Sequence, residues 1–118
     1  SYSVTGVQTC ALPILEKQRG LSGVERLSDN EGMLFVFDRY SEPGFWMKDM
    51  VVSIDLIWIK DDRVVDITSK VSIYEGDSEL MPIYYPKTSV NMVLEVAAGF
   101  TSRFGVEEGD EVKIVNSK

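Results

Sequence analysis

Ile54-Asp55-Leu56-Ile57-Trp58-Ile59-Lys60 (IDLIWIK) reads as a β-strand. It is a short apolar run rich in the β-branched and aromatic residues that suit a pleated surface, and Asp61-Asp62 follows it as a turn signal. Working outward, Arg63–Thr68 (RVVDIT) reads as the next strand and Phe45–Asp49 (FWMKD) as the preceding one. Met33–Phe37 (MLFVF) has the composition of a strand buried on both faces. These segments predict a meander of short antiparallel strands. Val90–Val96 (VNMVLEV) alternates and predicts a further strand, and Glu111–Val115 (EVKIV) a closing one. Between them Ala97–Phe104 predicts a short helix burying Ala98, Phe100 and Phe104, with Gly105 as its left-handed stop. Leu15–Leu21 reads as a short helix or turn, Ser28–Gly32 and Asp38–Gly44 as connections, and Val71–Pro86 as an ordered loop with one short strand near 71–74.

The chain has 118 residues, 19 acidic and 12 basic side chains and a net charge of −7, which fits one soluble domain. No apolar run approaches the roughly 20 residues a membrane-spanning helix needs. The acidic balance argues against nucleic acid as a partner, because phosphate contact needs clustered Lys and Arg. Histidine is absent, which excludes Ser/His and Cys/His catalysis and imidazole-ligated metals. The one cysteine, Cys10, allows no intrachain disulfide and no thiolate zinc site.

Residues 1–14 (SYSVTGVQTCALPI) carry no charged side chain, and VTGVQTCALPI (4–14) resembles the translation of a widely used sequencing-library adapter. Residues 1–14 are accordingly read as a non-native segment and 15–118 as the single domain. Cys10 then carries no information about redox compartment. If residues 1–14 stand in place of a natural strand, the sheet should show an unpaired edge, or one patched by residues 4–14.

Asp55 stands out, because aspartate is depleted in apolar strands and a buried carboxylate needs compensation. A hairpin centred on Val51-Val52 places Lys48 opposite Asp55, giving a structural cross-strand ion pair or the polar floor of a ligand site. Trp46 and Lys48 share one strand face and Phe45 and Met47 the other, so one of the two faces is core. Trp46, Trp58, Tyr40, Tyr84 and Tyr85 are candidates for an aromatic groove beside the long loop, against the alternative that they simply pack the core. The five methionines read as core filling and the acidic clusters around Asp61, Asp77 and Glu107–Glu111 as solvated turns. No metal site and no cofactor is expected.

Gln18-Arg19-Gly20-Leu21, Glu31-Gly32-Met33-Leu34-Phe35-Val36-Phe37, Phe45-Trp46-Met47-Lys48, Ile54-Asp55-Leu56-Ile57-Trp58-Ile59, Val93-Leu94-Glu95-Val96, Ala98-Gly99-Phe100 and Gly105-Val106-Glu107-Glu108-Gly109-Asp110, in that order, resemble the domain of unknown function 192 family. The resemblance implies an α+β, mainly β, small barrel-like antiparallel domain with one or two short helices. It also implies an extracytoplasmic location: periplasmic, secreted or lipid-anchored. It supplies no activity. This chain has Asp49 where many members have Asn, Ser53 where many have Pro, and no cysteine pair in the long loop. The expected function is a non-catalytic module, acting as a monomer, that binds a small ligand, glycan or other polymer, or a protein through a groove formed by Trp46, Lys48, Asp55, Trp58, Tyr84 and Tyr85. The alternatives are a carboxylate-based hydrolase using Asp55 with Asp49 or Asp66, and a purely structural partner domain.

Overall fold

The computed structural model describes residues 2–4, 8–10, 27–29 and 31–114; the expected Leu15–Leu21 helix lies outside them. The described strands are β1 (Tyr2–Val4), β2 (Gln8–Cys10), β3 (Gly32–Ser41), β4 (Ile54–Lys60), β5 (Arg63–Val71), β6 (Val90–Ala97) and β7 (Val112–Ile114). One short helix, α1 (Phe100–Arg103), follows β6, and a single 3-10 turn (Ser78–Leu80) interrupts the long loop. Five strands form one sheet in the order β2-β3-β6-β4-β5, and β1 pairs with β7 apart from it. The β3–β6, β6–β4 and β4–β5 pairings are antiparallel. The sheet is open, so the mainly β expectation holds while "barrel-like" describes it only loosely.

β4 buries every residue except Lys60. Its alternation sends Ile54, Leu56 and Trp58 to one face and Ile57 and Ile59 to the other, and each face meets its own apolar cluster. Phe35, Phe45, Met47, Met50, Val71, Val90 and Val93 complete the first cluster, and Leu34, Val64, Leu94, Val96, Phe100, Val106 and Val112 the second. A strand covered on both sides reads as a continuous apolar run. Full burial of each large apolar side chain contributes about 1.5–3 kcal/mol, so β4 is the spine of the domain.

That central position overturns the meander. β4 already has β5 on one edge and β6 on the other. No edge remains for Phe45–Asp49, which is not a strand: it lies across the first face and touches the long loop through one bridge, Phe45 to Tyr84, with N–O distances of 2.9 and 2.7 Å. The alternation of FWMK is nevertheless real, with Phe45 and Met47 buried and Trp46 and Lys48 outward. Alternation reports sidedness, not ladder pairing. β3 also runs on to Ser41 where a connection was expected. The separate strand near 71–74 is absent, Val71 being the end of β5. The helix is confined to residues 100–103, and Phe104 is exposed against the expectation of burial. Gly105 does take the left-handed conformation, at φ 63°. At the β3 edge, β2 pairs in parallel with Met33–Phe35.

Candidate functional site

The hairpin that would set Lys48 against Asp55 does not exist. Asp55 stands opposite Val96 in the β4–β6 ladder, facing the second apolar cluster. After β6 the chain reverses through Gly99, at φ 88°, and brings the start of α1 back over β4. Asp55 Oδ1 accepts from the backbone N–H of Lys70 (2.7 Å) and Gly99 (3.1 Å), and Oδ2 from the N–H (2.9 Å) and hydroxyl (2.8 Å) of Thr101. The side chain is wholly buried. Burial pushes its carboxyl pKa up, but the bonds from Lys70, Thr101 and Gly99 outweigh burial and hold it below the ordinary carboxylate value. Four donors fill the acceptor positions of the carboxylate, leaving none for a substrate proton. Asp55 is therefore an anchor that ties the β5 end, where Lys70 sits at φ 53°, and the α1 entry to the central strand. Asp66 pairs with Trp58 and so lies on the opposite face, its carboxylate accepting from the N–H of Ile67 and Lys87. Asp49 is exposed at the surface. The two-carboxylate site expected for a hydrolase is not assembled.

The aromatic candidates divide in the same way. Trp58 is completely buried and donates its indole N–H to Thr68 Oγ1 at 2.9 Å. It packs edge-on to Phe45, which in turn packs edge-on to Phe35. Tyr84 packs partly buried against the first cluster. Tyr40 lies elsewhere, donating its hydroxyl to Asp61 beneath the Lys60 ammonium. Trp46 and Tyr85 remain outside the core, 36% and 57% exposed, and with Gly44 and Ile83 line a shallow open groove of about 230 Å³. The Lys48 ammonium sits 5.6 Å from the Trp46 ring centroid, within cation–π range.

Sequence reading missed Gly44 and Ile83 in the groove, and Lys70, Gly99 and Thr101 as the partners of Asp55. It also missed Glu95, which is buried in β6 opposite Leu56 and Met33. The solvation argument that singled out Asp55 applies equally to Glu95 between Leu94 and Val96. Among the described residues, no three Asp, Glu, His or Cys side chains converge as a metal site would require.

Fold and site together define a small, mainly β domain with a structural carboxylate buried against the sheet and an aromatic groove outside the core. The chain belongs to the DUF192 family, described as "Uncharacterized ACR", whose sequence profile matches residues 8–114. A Novosphingobium aromaticivorans DSM 12444 protein of unknown function has a similar structure, with a TM-score of 0.75 and 26% identity over 89% of this chain and 70% of that one. A Sinorhizobium meliloti 1021 protein described as a "putative transcription regulator" is also similar, with a TM-score of 0.79 and 26% identity over 89% of this chain and 78% of that one. No curated protein matches the chain.

Proposed function

We propose that the domain is a non-catalytic, extracytoplasmic binding module, monomeric, whose ligand sits in the groove of Gly44, Trp46, Ile83 and Tyr85 with Lys48 at the rim. The observation that carries this reading is the placement of Trp46 and Tyr85. A chain that buries Phe35, Phe45 and Trp58 leaves these two aromatic rings at the surface, on one concavity. Concave sites lined by aromatic and apolar groups with a few polar ones are where proteins take ligands. The proposed face differs from the one expected: Asp55 and Trp58 belong to the core, and Tyr84 packs partly buried against it. The extracytoplasmic part rests on the family resemblance. A regulator acting on DNA finds little support in a chain of net charge −7.

The test is a thermal-shift screen of small molecules, glycans and peptides against the wild type and Trp46→Ala. A ligand of this site stabilises the wild type, by about 2.7 kcal/mol at a hundredfold excess over its Kd, and does not stabilise the variant. Ligands that stabilise both proteins equally overturn the assignment of the groove.

A further inference from the structure

We infer that the groove accepts one neutral pyranose ring of a saccharide; this deepens the binding-module reading and rests on it. Four features point the same way. First, Trp46 and Tyr85 offer aromatic surface on the same concavity. An aromatic face carries partial negative charge, which suits the polarised C–H groups on the flat side of a sugar, and the indole N–H and phenol O–H can bond its hydroxyls.

Second, Tyr85 is held in place by close packing on Gly44. A Cβ at Gly44 would lie 2.6 Å from Ile83 Cγ2 and 2.8 Å from Tyr85 Cε1. Gly44 is not among the residues with positive φ, so its missing side chain serves this close approach, which seats the Ile83 and Tyr85 side chains directly on the backbone of the groove. Third, about 230 Å³ is below the roughly 300–1,000 Å³ of sites for drug-sized ligands. One ring fits this size better than the several residues of an extended proline-rich peptide, which also uses aromatic grooves.

Fourth, the groove side chains are uncharged and the whole chain is strongly acidic, which disfavours uronic acids and sugar phosphates.

Saturation-transfer NMR on the full chain tests this, using the methyl glycosides of glucose, galactose, mannose and N-acetylglucosamine, and in a separate arm a proline-rich peptide. At least one glycoside should receive saturation at its ring C–H protons, with a Kd of about 1 mM, as expected for so few atoms. Gly44→Ala, whose methyl group would push Ile83 and Tyr85 out of position, and Tyr85→Ala should each weaken it at least tenfold. Amide spectra of both variants establish that they are folded. Peptide binding at the groove without glycoside binding overturns the sugar inference and leaves the binding module standing. Glycoside binding that survives in both variants overturns it as well, because the ring is then held elsewhere. Absence of binding by every probe in this set overturns the saccharide inference, while the broader thermal-shift screen decides the groove separately.

Discussion

Replacing Asp55 with alanine removes the acceptor of four hydrogen bonds at once and leaves the N–H groups of Lys70, Gly99 and Thr101 and the Thr101 hydroxyl without it. A bond to a charged acceptor contributes about 1.5–3 kcal/mol, but four bonds sharing one carboxylate are not additive. Removing one side of a buried charged network costs about 3–5 kcal/mol, and we expect about 4 kcal/mol here. For a domain of this size that lowers Tm by about 15 °C and is a large fraction of the total stability. Asp55→Asn keeps one oxygen but turns an NH2 toward donors, and should cost about 2–3 kcal/mol. Urea unfolding followed by circular dichroism measures both. The anchor also predicts a pH dependence. Because the Asp55 carboxyl is held below its ordinary value, its contribution is complete above the unfolded value, about pH 4, and is lost as the pH falls through the lower folded value. The difference between wild type and Asp55→Asn should therefore be constant near neutrality and shrink below about pH 4. A loss under about 1 kcal/mol for Asp55→Ala at pH 7, with the m-value unchanged, would refute the reasoning.

Trp58→Phe removes the indole bond to Thr68 and should cost about 1–2 kcal/mol in the same urea assay. The two tryptophans should also separate in acrylamide quenching: Trp46→Phe leaves emission that is blue-shifted and protected, from buried Trp58, whereas Trp58→Phe leaves emission that is readily quenched. Gly105→Ala meets nothing within 4 Å but must hold φ 63°, so about 1 kcal/mol is expected from backbone strain alone. Gly99→Ala should cost more, since φ 88° is less accessible to a residue with a Cβ and the same backbone feeds Asp55, whereas the Arg103 guanidinium 2.6 Å away can swing aside; thermal melts of the pair give the ranking.

The strands β4, β5 and β6 were legible because they are rich in aliphatic, β-branched or aromatic side chains and their ends are marked by Asp61-Asp62 and by the helix signals after Val96. Their order was not. A side chain's face follows from the local period of two, whereas the neighbour across the ladder is chosen by long-range packing, and β6, distant in sequence, takes the place between β3 and β4. FWMK shows the limit: its sidedness was readable, while its lack of a ladder followed from β4 having both edges filled. Asp55 shows it again. The need for compensation was readable from solvation alone, but three of its four donors come from residues 99–101, which only the reversal at Gly99 brings near. The groove was half legible. Aromatic Trp46 and Tyr85 could be named, but Gly44, which contributes by lacking a side chain, leaves no chemical signal.

The two tryptophans supply the most direct test of the central claim, that this domain works through its outer groove and not through the buried carboxylate. Each gives one indole N–H resonance in a 1H–15N spectrum. With a ligand from the thermal-shift screen, the Trp46 indole and the amides of Gly44 and Tyr85 should shift while the Trp58 indole stays still. Shifts centred instead on Asp55, Gly99 and Thr101 would contradict the account.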